Sequence, residues 1–97
     1  MNADEHDIVD ERAMLDVLAE RERQDAKWGE QNHDPFTWLA ILGEEYGECC
    51  KEALEMKFAN VEDPSGYLAN FRSELVQTAA VALAIIECLD RGVGYER

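Results

Sequence analysis

The residues of this chain best suited to chemistry are glutamates at repeated helical spacing. Glu45, Glu48, Glu52 and Glu55 recur at i, i+3, i+7 and i+10, and Glu74 and Gln77 repeat the spacing of three further on. Residues three apart lie on one helical face, where like charges destabilise the helix unless something neutralises them. Three carboxylates (Glu45, Glu48, Glu74) and the amide oxygen of Gln77 form an all-oxygen donor set. That set suits a hard cation, Mg²⁺ or Mn²⁺, rather than zinc. The matching chemistry is metal-assisted attack on a phosphate ester or anhydride. A plainer reading makes the row a solvated face stabilised by Lys51 and Lys57. Gly43 and Gly47 weigh against it, because glycine costs helix stability and here implies close approach of another helix.

Three helices must position these residues. The first is expected from about Asp7 to Asp25, with Ile8, Met14, Leu15, Val17 and Leu18 as its apolar positions. The pairs Glu20–Arg23 and Arg21–Asp25 stand at contact spacing on it. Lys27 to His33 reads as a loop. Asp34-Pro35 starts a second helix running to about Phe58, with Asp as N-cap and Pro in the first turn. One broad face of it carries Phe36, Leu39, Gly43, Tyr46, Gly47, Cys50 and Leu54. The acidic row continues backwards through Ile41 and Trp38, so it should be partly covered. Asp63-Pro64 repeats the start signal, and the third helix should run from about Pro64 to Arg91, ending near Gly92-Val93-Gly94.

The third helix is amphipathic through Leu68, Phe71, Leu75 and Val76, then apolar on every side from Ala79 to Ile86. A helix apolar all round must be enclosed all round, which three helices do with difficulty. The fold class expected is therefore all-α: one domain over residues 1–97, with residues 1–6 frayed. Its three long helices should form an antiparallel bundle completed by a homo-oligomer.

Composition narrows the function. The formal net charge is −13, which disfavours DNA or RNA as partner. The longest apolar stretch, Thr78 to Ile86, is far short of the roughly 20 residues a membrane span needs. The N-terminal residues lack the basic-then-apolar order of a signal peptide, and the three cysteines (Cys49, Cys50, Cys88) follow no disulfide or metal spacing. A cytoplasmic protein is expected, with no membrane partner.

Two motifs also resemble a known family. Glu44-Glu45-x-x-Glu48 and Glu74-x-x-Gln77, with 25 residues between them, resemble the E-E-x-x-E … E-x-x-D signature of MazG-like, all-α nucleoside triphosphate pyrophosphohydrolases. Trp28-Gly29-Glu30-Gln31-Asn32-His33-Asp34-Pro35 resembles the W-x-x-Q-x-H-x-P stretch of the dCTP-hydrolysing branch. The resemblance spans roughly Glu20 to Arg91. It implies cleavage of an NTP or dNTP to monophosphate and pyrophosphate with Mg²⁺, in a dimer or tetramer. By position, Glu45, Glu48 and Glu74 would ligate the metal, Gln77 would stand in the fourth place, and Glu44 would orient or deprotonate the attacking water. Gln77 replaces the motif's final Asp, removing one negative charge from the site.

The resemblance also implies substrate contacts for Gln31 and His33. Trp28 and Trp38 have faces that could stack on a base. Lys27, Lys51, Lys57 and Arg72 are the bases near the proposed site that could meet phosphates. The competing expectation is a non-catalytic module, binding nucleotide without cleaving it or using its acidic surface to engage another protein.

Overall fold

The chain forms helices where caps and composition direct it. A computed structural model describes residues 10–94, and all of its regular structure there is α-helical. Helix α1 spans Glu11–Trp28, α2 spans Pro35–Ala59 and α3 spans Ser65–Arg91. The segment before Asp10, including Ile8 and the expected helix start at Asp7, lies outside the described residues.

The Asp10 side chain accepts from the backbone N–H of Arg12 and Ala13, satisfying donors that the first turn leaves free. The expected stop at Asp25 is wrong. α1 continues through Lys27 and Trp28, because Gly29 at φ 73° closes it by donating its N–H to the Asp25 carbonyl. Lys27 and Trp28 thus sit on the last helical turn rather than in a loop. Asp34 caps α2 through Thr37 N–H at 2.8 Å, with Pro35 in the first turn. Asp63 accepts from Ser65 N–H, so Pro64 precedes α3 instead of opening it.

α3 is the central element: α1 and α2 each pack against it, and neither packs on the other. On the α2 side, Cys49 Sγ meets Thr78 Oγ1 at 3.3 Å. On the α1 side, Arg21 grips Glu87 and Arg72 reaches Asp16 at 2.7 Å. The end of α3 also pins the segment that links α1 to α2. Buried Cys88 lies beside the His33 carbonyl, and Arg91 donates to the Gln31 carbonyl and to Asn32 Oδ1. Gly94 completes this closure at φ 87°; a side chain there would strike the His33 carbonyl.

The apolar run of α3 is covered further by its own chain than the sequence suggests. Ala80 and Val81 are buried and Ala82 to Ile85 half-buried, while Ala79 and Ile86 stay exposed. The larger uncovered apolar surface lies on α2. Gly43 and Gly47 face open space within the chain, so the close approach expected of them is not made by α1 or α3.

Candidate functional site

Because α1 and α2 flank α3 without touching, a pocket of about 420 Å³ opens between them. Its lining includes Trp28, Gln31, Trp38, Glu45 and Gln77, five of the residues singled out from sequence. Trp38 is only 2% exposed and forms the wall rather than a free face. Its indole Nε1 is buried without an acceptor. His33 packs its ring edge-on against Trp38, centroids 4.8 Å apart, and Nε2 lies 3.0 Å from Gln31 Oε1. His33 therefore supports the pocket from behind instead of lining it. Trp28 is exposed at the rim, with Lys27 Nζ 4.5 Å over its ring.

Other sequence candidates stand outside the pocket. Glu44, Glu48 and Lys51 are exposed on α2, and Lys57 lies 5.9 Å over the Phe58 ring. Arg72 is ion-paired with Asp16. Conversely, α1 contributes Glu20, Arg21 and Gln24, and α3 contributes Glu87 and Arg91, none of which the motifs flagged. The signal available in sequence was the pairing of Glu20–Arg23 and Arg21–Asp25, both present as ion pairs. It marks local helix contacts and not the pocket they border.

The acidic row is partly covered, as its apolar start implied: Glu45 and Glu52 are half-buried while Glu48 and Glu55 are exposed, and Glu74 on α3 is half-buried. Burial pushes the Glu45 carboxyl above the usual carboxylate range, and the charges of Glu74, Glu48, Glu20 and Glu44 push it further. Burial also raises Glu74, with Glu48, Glu52 and Glu20 adding repulsion and Lys51 opposing it. Glu52 Oε2 is buried with no hydrogen-bond donor. Glu20 is held low by its hydrogen bond to Arg23.

A carboxyl raised by folding favours the folded state most below its ordinary value of 4.5. That contribution is lost as pH rises through the raised value. Without metal, the repulsion in this cluster is therefore felt above the raised value and relieved as pH falls through it. Glu45→Gln should raise Tm at pH 7 by about 2–4 °C, the effect of removing like-charge contacts of a few tenths of a kcal/mol. The difference from wild type should vanish near pH 4. Thermal melts followed by circular dichroism at both pH values check this, and a fall in Tm at pH 7 would contradict it.

The donor chemistry fits a hard cation: the carboxylates are oxygen ligands that repel one another, and Glu52 has an oxygen unsatisfied. As they stand, no three Asp, Glu, His or Cys side chains among the described residues converge as a metal-ion site. The carboxylates feel each other's charge without sharing one point, and ligation would require them to close in. Pocket charge adds to this picture. Glu20, Asp25, Glu30, Glu45 and Glu87 outnumber Arg21, Arg23 and Arg91 by two. Each of the three arginines already faces a carboxylate. An anionic ligand entering here would need a cation to accompany it. Comparisons with family models, curated proteins and solved structures find no match for the chain.

Proposed function

We propose that this chain is a divalent-metal-dependent nucleotide pyrophosphohydrolase, cutting an NTP or dNTP to a monophosphate and pyrophosphate. The observation that carries the reading is a pocket with aromatic walls whose arginines are already ion-paired, bordered by mutually repelling carboxylates. The resemblance of Glu44-Glu45-x-x-Glu48 and Glu74-x-x-Gln77 to the MazG-like signature supports it independently. So does the contact pattern of α2 on α3: Cys49 beside Thr78 and His33 beside Cys88 are what an antiparallel pair would give.

Glu45, Glu48 and Glu74 would hold the ion, with the Gln77 amide oxygen beside them. Bound there, Mg²⁺ would offset phosphate charge and make a neighbouring water more acidic. Glu44 would take the proton as the water oxygen bonds to the α-phosphorus and the bond to the bridging oxygen breaks, releasing pyrophosphate. Trp28 offers an exposed ring to the base at the pocket rim, and Trp38 shapes the wall behind it. Lys51, whose charge reaches Glu74, would meet outer phosphates. The working form is a homo-oligomer, dimer or tetramer, in the cytoplasm, acting on the nucleotide pool.

A second reading is favoured by Gln77 and by the carboxylates' lack of convergence: a module that binds nucleotide, or another protein, without cleavage. Pyrophosphate release across a panel of NTPs and dNTPs with Mg²⁺ or Mn²⁺ separates the two. Release supports the enzyme. Silence across the panel together with no metal-induced thermal shift rejects it. Gln77→Asp restores a fourth carboxylate and should tighten Mn²⁺ binding by about tenfold, since divalent affinity follows ligand charge. Calorimetric titration with Mn²⁺ checks this, and unchanged affinity would put residue 77 outside the ligand set.

A further inference from the structure

We infer that Gln24 makes this a pocket for ribonucleotides: its amide takes the 2′ and 3′ hydroxyls of a ribose, donating to one and accepting from the other. The inference rests on the nucleotide reading above and narrows it, from an NTP or dNTP to an NTP.

The three helices line the pocket in the same chemical order. On α1, Glu20, Gln24 and Trp28 fall at i, i+4 and i+8, so they share one face. On α2 the order is Glu45, Ile41, Trp38, and on α3 it is Gln77, then Val81 and Ala84, then Arg91. Oxygen donors thus stand at one end, and aromatic or guanidinium groups at the other. Contacts between helices align these ends. The charge of Glu20 acts on both Glu45 and Glu74. At the far end Arg91 pairs with Glu30 and binds the Gln31 carbonyl, and Gln31 meets the His33 ring that packs on Trp38.

Gln24 stands midway between the ends. At the rise of an α-helix it lies about 6 Å along α1 from Glu20 and about 6 Å from Trp28. In a nucleotide the sugar joins the phosphates to the base. With phosphates at the carboxylate end and the base on Trp28, the sugar therefore falls at the level of Gln24. The walls contributed there by α2 and α3, Ile41, Val81 and Ala84, are apolar. The polar neighbours Arg21, Asp25 and Glu87 are bound to one another.

The Gln24 amide has hydrogen-bonding capacity to spare. The residue is only 9% exposed. Its Oε1 accepts from Arg21 Nη1 and its Nε2 donates to Glu20 Oε2, both at 3.4 Å and so beyond the usual range. Neither partner depends on it, because Arg21 also holds Glu87 and Asp25, and Glu20 also accepts from Arg23, through shorter bonds. A carboxamide has two N–H donors and two acceptor lone pairs. One N–H and one lone pair of Gln24 are thus without a partner among the described residues. A buried amide short of bonds costs stability, and a ligand that takes one donor and one acceptor side by side offsets that cost. A vicinal diol does so. Ribose carries one and 2′-deoxyribose does not, the 2′-hydroxyl being both donor and acceptor.

Calorimetric titration of the full chain with Mn²⁺ and the α,β-methylene analogues of the common NTPs, and of their 2′-deoxy counterparts, tests this by binding rather than turnover. Wild type should hold the best ribonucleotide about fivefold more tightly than its 2′-deoxy counterpart, the scale of one hydrogen bond. Gln24→Met should bring that ratio close to one. It should also keep or raise the metal-free Tm, because an unbranched apolar side chain replaces a poorly bonded amide. A second arm needs no variant: on wild type, the 3′-deoxy analogue should lose about as much affinity as the 2′-deoxy one. Equal or tighter binding of 2′-deoxynucleotides by wild type overturns the proposal. A preference that survives Gln24→Met, or undiminished affinity for the 3′-deoxy analogue, overturns it equally. Binding without sugar preference rejects this inference alone, whereas no binding of any analogue rejects the nucleotide reading and this one with it.

Discussion

Glu48→Gln is expected to abolish pyrophosphate release, a loss of about 10³-fold or more, while leaving the helical circular dichroism signal and the oligomer mass unchanged. Three features predict the split. Glu48 is exposed and makes none of the ion pairs that hold α1 or α2 to α3, so the fold does not depend on it. Its charge is nonetheless felt by both Glu45 and Glu74, on two different helices. The glutamine amide keeps the shape but removes the charge that an Mg²⁺ ligand contributes. In metal-free protein the melting temperature should hold or rise slightly at pH 7, because repulsion with Glu45 and Glu74 is relieved. Added Mn²⁺ should then stabilise wild type and do much less for the variant. The informative contrast is stability against turnover. A melting temperature many degrees lower would make Glu48 a structural residue, and undiminished turnover would remove it from the metal site.

The elements of this fold are legible because their ends carry local chemistry. Asp34-Pro35 starts α2 and Gly92 ends α3 where capping physics places them, and neither depends on tertiary contacts. The end of α1 is less legible. Nothing between Asp25 and Trp28 breaks a helix, and the true stop is the positive φ at Gly29. The partial cover of the acidic row was legible too, from its continuation through Ile41 to the buried Trp38. The contribution of α1 to the pocket was not. Glu20–Arg23 and Arg21–Asp25 satisfy the rules for a solvated helix face, and sequence spacing cannot tell that Arg21 also binds Glu87, 66 residues away. The role of Gly43 and Gly47 was half legible. They signal a close helix neighbour, but only the fold shows that α1 and α3 are not that neighbour.

The largest loss of stability is expected from Arg21→Ala, because one guanidinium joins α1 to α3 and separates two carboxylates. Arg21 is 8% exposed. Its Nε and Nη2 donate to Glu87 at 3.1 and 2.7 Å, and Nη1 and Nη2 donate to Asp25 at 3.1 and 3.3 Å. Removing the base leaves Glu87 and Asp25 unneutralised beside a pocket that already has an excess of negative charge. Breaking a fully buried pair costs about 3–5 kcal/mol; these carboxylates are about half exposed, so roughly 2–3 kcal/mol is expected. For a chain of this length that is a fall in Tm of about 10–20 °C. Arg21→Lys should recover only part, since a single ammonium cannot fork to two carboxylates. The deficit must also depend on pH with a definite sign. The Arg21 hydrogen bond holds Glu87 below its ordinary 4.5, so its contribution is present above that pH and is lost as pH falls through the lowered value. Urea unfolding at pH 7 and again near pH 3.5 should therefore show the gap between wild type and Arg21→Ala narrowing in acid. A deficit under about 0.5 kcal/mol at pH 7 is the scale of an ordinary surface pair. It would mean that packing of α1 on α3, and not this ion pair, keeps the pocket open between α1 and α2.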